Sequence, residues 1–231
     1  MSQPDKSLPG PIARVAPDGV LTPRRRRRIL IEMSLRRQKP GTGSSYEFLH
    51  RRTAMHVWPD LRAVLEGIPW AITGGVATRA YMPERATLDL DIVVLRRDCR
   101  AVWERLRDAG YQVAQALDAP YFVARSPEGV EVDVICADFP WLSQALASPH
   151  SDPAGYPVLA LPYLILMKLR ANRGVDIGDM TRMLGLASEQ QLQAVREAVS
   201  RHSPEDLEDL ESLIILGKRE MEPPEGKQWW Q

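Results

Sequence analysis

The sequence predicts an α+β protein: a mixed, twisted β-sheet flanked by helices, followed by a C-terminal helical region. Two observations carry this. Residues 88–95 and 130–135 alternate between apolar and polar side chains, as half-buried strands do. After Pro140 the spacing of apolar residues changes to that of helices, predicted over 141–148, 162–173, 177–184, 188–200 and 204–219.

The elements follow in chain order. Residues 1–23 hold Pro4, Pro9, Pro11, Pro17 and Pro23 with little apolar periodicity and read as a flexible lead. The run Arg24-Arg25-Arg26-Arg27-Arg28 enters Ile29-Leu30-Ile31 and suggests a short basic helix that ends before Lys39-Pro40-Gly41. A helical pattern starting at Ser44 or Ser45 reaches about Glu66, with Pro59 able to divide it and Gly67 to end it. A strand over 70–73 runs through Gly74-Gly75 into a short helix from Val76 to about Tyr81. A helix over 98–109 stops at Gly110, and strands 121–123 and 130–135 form a hairpin through Pro127-Glu128-Gly129. Ser188 with Gln191, and Ser203 with Pro204 and Asp206, resemble helix starts, while Gly174 and Gly185 resemble stops. The expected organisation is a basic arm over 1–42, a catalytic core over 43–150 and a helical region over 151–231.

With 44% hydrophobic and 26% charged residues, the chain reads as globular rather than disordered. No stretch approaches the roughly 18 apolar residues of a membrane span, and no signal-peptide pattern opens the chain, so a cytoplasmic protein without membrane contact is expected. Cys99 and Cys136 lie far apart, outside any zinc spacing, in apolar surroundings that suit reduced, buried thiols. The histidines His50, His56, His150 and His202 form no ligand spacing. The total charge is zero, but residues 1–53 hold 12 Lys/Arg against 4 Asp/Glu, a local +8 balanced by −8 elsewhere. A basic segment of this kind can attract a polyanion, and Arg24 to Arg28 are its candidate contacts for RNA.

The chemistry concentrates in Leu88-Asp89-Leu90-Asp91-Ile92. On a strand, Asp89 and Asp91 share one face while Leu88, Leu90 and Ile92 take the other. Two carboxylates on one side of a buried sheet repel unless protonated, paired or bridged by a cation. Mg²⁺, or the similarly hard Mn²⁺, prefers such oxygen ligands and leaves room for substrate phosphates. Asp133 repeats the pattern opposite Val132 and Val134 and is the favoured third ligand; Glu131, on the same face but nearer the hairpin turn, is the alternative. Carboxylates holding a divalent ion suit phosphoryl transfer from an NTP. Gly74 and Gly75, without Cβ atoms, would let backbone N–H groups approach phosphate, with Thr73 adding a hydroxyl.

Together these residues resemble the nucleotidyltransferase superfamily related to DNA polymerase β, in which Gly-Gly or Gly-Ser is followed by Asp-x-Asp and a third Asp on a neighbouring strand. Gly74-Gly75-Val76-Ala77, Arg85 to Asp91, and Leu164 to Ala171 followed by Asp176 and Asp179 look closest to AbiEii-like and minimal nucleotidyltransferase proteins of toxin–antitoxin loci. The likeness covers about residues 68–185. It implies that fold, Mg²⁺ dependence, transfer of a nucleotide to tRNA or another RNA, and a cognate antitoxin.

The resemblance also implies a triphosphate contact from Lys168, whose apolar helix calls for an anionic partner in any case. Arg85 is a candidate for phosphate or for a carboxylate partner. Asp176 and Asp179 read first as helix-start caps. Transfer to an antibiotic or a protein, and a non-catalytic RNA-binding or antitoxin-like module, are the alternatives. Trp229-Trp230 would dock on the body or on a partner.

Overall fold

A computed structural model describes residues 10–38, 58–113 and 120–222. His50, His56, Trp229-Trp230 and most of the helix expected over 44–66 lie outside them. In the described end of that helix, 58–61 is irregular and 62–66 forms turns, with the Leu65 amide donating to the Leu61 carbonyl at 2.8 Å.

A mixed seven-stranded sheet lies at the centre, in the order β3-β4-β5-β2-β1-β7-β6. Its strands are β1 (Trp70–Ile72), β2 (Asp89–Leu95), β3 (Gln112–Val113), β4 (Tyr121–Arg125), β5 (Glu131–Ala137), β6 (His150–Ser151) and β7 (Pro157–Val158). The β4–β5 hairpin forms as the sequence predicts. The two-residue strands β3, β6 and β7 are too short to show a period of two and were not foreseen.

Strand β2 runs antiparallel to β1 and parallel to β5, with Asp91 level with Asp133 and Asp89 level with Glu131. Neighbouring strands lie roughly 4.8 Å apart, so this register sets Asp91 and Asp133 side by side. The alternate residues Leu90, Ile92, Val132 and Val134 are buried in the main core with Val102 and Leu106 of α3 (Cys99–Asp108). Leu88 does not share that fate: it precedes the strand and is 91% exposed.

Cys99 and Cys136 form a disulfide, which corrects the expectation of free thiols. Cys136 shares a sheet face with Val132 and Val134, and Cys99 opens the helix that covers it. Positions 37 residues apart in sequence thus come to a Cα separation of 5.7 Å, a nearness that sequence spacing does not show.

Helices α4 (Leu142–Ala147), α5 (Leu161–Ala171), α6 (Gly174–Leu186), α7 (Glu189–His202) and α8 (Leu207–Met221) follow, and no described helix is long and apolar enough to cross a membrane. The two predicted glycine stops act differently. Helix α5 ends on Asn172, which takes the left-handed conformation (φ 58°), and Gly174 begins α6. Gly185 lies inside α6, where it meets Gly217 of α8. A Cβ on Gly217 would stand 2.2 Å from the Thr181 carbonyl oxygen, and one on Gly185 would stand 2.4 Å from the Gly217 carbonyl oxygen. The backbones cross too closely for any side chain. Gly217→Ala should therefore destabilise by about 2 kcal/mol despite its better helix propensity. Thermal unfolding should show a midpoint lower by roughly 4–8 °C.

The basic segment forms α1 (Gly10–Val15) and α2 (Pro23–Arg37). Its arginines bind the protein itself rather than forming a free arm. Arg27 is 2% exposed; it donates to Asp209 at 2.8 Å, to Asp206 at 2.6 Å and to the Leu169 carbonyl at 2.7 Å. Arg24 pairs with Asp206, Arg28 with Glu208 and Asp209, and Arg25 with Asp18. Arg26 donates to the Leu21 carbonyl. Acids on and just before α8, more than 170 residues away in sequence, thus pair with Arg24, Arg27 and Arg28 of the run.

Candidate active site

The site begins where β1 ends. The Thr73 amide donates to the Asp91 carbonyl at 2.9 Å, continuing the β1–β2 ladder by one bond. Gly74 then takes φ +62°, and the chain turns into a 3₁₀ helix, Val76–Ala80. A Cβ on Gly74 would lie 1.8 Å from Asp91 Oδ2, so any side chain there would displace the carboxylate. The Gly75 N–H donates to Asp91, while its carbonyl accepts the Thr78 hydroxyl at 2.7 Å. The Thr73 hydroxyl is buried and has no hydrogen-bond partner among the described residues.

Carboxylate oxygens of Asp89, Asp91 and Asp133 lie within 4.8 Å of one another. Asp89 accepts the Thr87 hydroxyl at 2.7 Å. Among the described residues none of the three makes an ion pair. Burial, reinforced by the charges of Asp89 and Asp133, pushes Asp91 up to about 6, against the opposing pull of Arg173 and the Gly75 N–H. Burial, with Asp89 and Glu131, also raises Asp133. Glu131, the alternative third ligand, pairs instead with Arg125 on β4 and stays outside the cluster. Three unpaired acids, two of them reluctant to ionise, form a donor set suited to a hard divalent cation.

A second cluster combines Arg85, Lys168, Arg173, Asp176 and Asp179. Lys168, 2% exposed, donates to Asp176 at 3.2 Å and to Asp179 at 2.8 Å. Its ammonium is thus held inside the protein, not offered free to a ligand. Arg85 grips Asp179 through Nε at 2.9 Å and Nη2 at 3.0 Å, and its Nη2 would stand 3.0 Å from a Cβ on Gly75. The cluster therefore abuts the glycine turn. Asp176 accepts the Arg173 backbone N–H at 3.1 Å, as a helix-start residue should. Asp179 caps nothing; fully buried, it holds two cations.

Sequence reasoning passed over Arg173, which adjoins the break between α5 and α6. Its guanidinium donates to Asp176 at 2.8 Å yet remains more than half exposed. The bond to Asp176 raises Arg173 further, and the charges of Asp91 and Asp89 add to it. Burial works to raise Asp176, but Arg173 and Lys168 together hold it below the ordinary carboxylate value. The available signal was the three-residue spacing Arg173 to Asp176 immediately after Asn172.

No family model matches this sequence, and no curated protein matches it. Among solved structures, the chain is similar to the antibiotic-resistance factor ANT(2'')-Ia in solution, at 18% identity and a TM-score of 0.38, over 65% of this chain and 84% of that one. ANT(2'')-Ia in complex with adenylyl-2''-tobramycin matches at 19% identity and 0.36, over 76% and 98%. Terminal uridylyl transferase 4 from Trypanosoma brucei with bound GTP matches at 12% identity and 0.28, over 86% and 70%. Likenesses at this level assign neither family nor activity.

Proposed function

We propose that this protein is a metal-dependent nucleotidyltransferase that moves a nucleotide from an NTP to an acceptor hydroxyl, with RNA, tRNA included, as the acceptor class. The carrying observation is the meeting of Asp89, Asp91 and Asp133 beside a turn where Gly74 leaves no room for a side chain. Acids alone would repel a triphosphate. Beside a helix-opening turn and the Arg85 and Arg173 guanidiniums, they form a site able to receive one.

The three carboxylates would hold Mg²⁺ or Mn²⁺, which would supply neutralisation of phosphate charge and alignment of the α-phosphate. Asp133, which makes no ion pair among the described residues and has a raised proton affinity, would accept the proton of the acceptor hydroxyl. The acceptor oxygen bonds to the α-phosphorus, the bond from that phosphorus to the bridging oxygen breaks, and pyrophosphate leaves. Arg85 and Arg173 would face its charge. Lys168 serves by position, holding Asp176 and Asp179, which in turn orient those guanidiniums. A toxin role with a cognate antitoxin uses the same site, and growth of cells expressing wild type or Asp89→Ala would read it.

Label transfer tests the reading. Protein, Mg²⁺ and each α-labelled NTP are incubated with total RNA, lysate protein or an aminoglycoside, and the acceptor is identified by mass spectrometry. Labelled RNA is expected, and absence of transfer to any acceptor despite NTP binding overturns the reading. Metal binding should also compete with protons. Because Asp91 sits near 6 and Asp133 is raised as well, Mn²⁺ affinity should level off above pH 6 and fall by about tenfold or more per pH unit below it, one or two protons being displaced. Titration by electron paramagnetic resonance measures this directly.

A further inference from the structure

The cationic surplus of the N-terminal segment is not wholly neutralised inside the fold. Arg24, Arg25, Arg27 and Arg28 have carboxylate partners. In the last turn of α2 the pattern changes: Arg36 and Arg37 are exposed and make no ion pair or hydrogen bond among the described residues. Arg182 on α6 makes none either. Arg37 and Arg182 line one cleft of about 310 Å³ with Ser34, Gln38, Gly178 and Glu220, where the end of α2 meets α6 and α8. The Arg182 guanidinium lies over Gly178, with Nη1 3.7 Å from where a Cβ would be, so no side chain stands between it and the helix surface.

The lining specifies the chemistry of what fits. Two unpaired guanidiniums offer forked donors that match phosphate oxygens, and the Ser34 hydroxyl and Gln38 amide add neutral donors. The cleft exceeds the volume of a single phosphate and suits a sugar-phosphate segment. Among the described residues its lining holds no aromatic ring to stack on a base, which favours contact with the backbone. Glu220 is the acid among the lining residues.

We propose that this cleft docks the phosphate backbone of the RNA acceptor, with Arg37 and Arg182 as its holding residues. This rests on the RNA reading above and moves the contact from Arg24–Arg28 to the far end of the same helix.

Fluorescence anisotropy of a labelled single-stranded RNA tests it with the full chain, in EDTA without NTP, between 50 and 200 mM KCl. The double variant Arg37→Ala/Arg182→Ala should bind about tenfold or more weakly, with a log–log salt slope shallower by about 1.4, two phosphate contacts' worth on a single strand. Arg37→Lys/Arg182→Lys should keep the salt slope. Unchanged affinity and slope in the double Ala variant overturn the proposal. So does a wild type that binds phosphatidylserine vesicles or no polyanion at all; label transfer to a small molecule or protein would then leave the transfer chemistry standing. Both arginines reach the cleft from solvent-accessible positions, and an unchanged unfolding midpoint confirms that the variant is folded.

Discussion

Asp91→Asn should lower label transfer by on the order of 10³-fold or more, while raising the thermal stability of the metal-free protein. These opposite directions separate a site residue from a structural one. The amide keeps the shape of the carboxylate and an oxygen for the Gly75 N–H, so the turn survives. It lacks the charge needed to share a divalent ion with Asp89 and Asp133, so the reaction does not.

The stability gain follows from linkage. Asp91 binds its proton more tightly when folded, at about 6, than at its ordinary 3.8. Ionised Asp91 therefore costs folding free energy above pH 6; the cost shrinks as pH falls from 6 towards 4 and is absent below. Removing it at pH 8 should stabilise by about 1–3 kcal/mol, the upper end being the full shift and the lower allowing for relaxation around the charge. Mg²⁺ should stabilise the wild type and not the variant. Differential scanning fluorimetry at pH 5 and 8, with EDTA or Mg²⁺, gives all four conditions. Equal melting of wild type and variant in EDTA at both pH values would show that the trio is not electrostatically strained.

What the sequence revealed and concealed divides along the distance over which the relevant forces act. Strand alternation is local, so it placed Asp89 and Asp91 on one face, and it separated Asp133 from Val132 and Val134. That Asp133 stands level with Asp91 depends on the parallel pairing of β2 with β5, which joins segments about forty residues apart. The fate of Lys168 was legible only in part. Its apolar helix signalled the need for an anion, but whether a triphosphate or a carboxylate met that need depended on α6 packing beside α5. The arginine run misled for the same reason, since its partners Asp206 and Asp209 belong to the distal end of the chain. Gly185 read as a helix stop because the approach of α8 has no local trace.

Asp179→Ala should be the most destabilising of the single changes in the buried charge cluster, by about 3–5 kcal/mol in urea unfolding. The pair is not valuable because it attracts; desolvating its charges offsets most of that attraction. Losing one member is costly because the others remain buried. Asp179 is the sole carboxylate shared by Arg85 and Lys168 among the described residues, so its loss strands Arg85 and leaves Lys168 with Asp176 alone at 3.2 Å. Lys168→Met should cost less, because Asp179 keeps Arg85 and Asp176 keeps Arg173.

The order of the two is the test of connectivity: Lys168→Met added to Asp179→Ala should cost less than Lys168→Met alone, since the lysine has by then lost its shorter ion pair and keeps only Asp176. Kinetics should follow the same order, with KM for the NTP rising more in Asp179→Ala than in Lys168→Met as the Arg85 guanidinium leaves Gly75. A larger KM effect from Lys168→Met would mean that the lysine touches the triphosphate itself, and that binding substrate draws it out of the cluster that holds it.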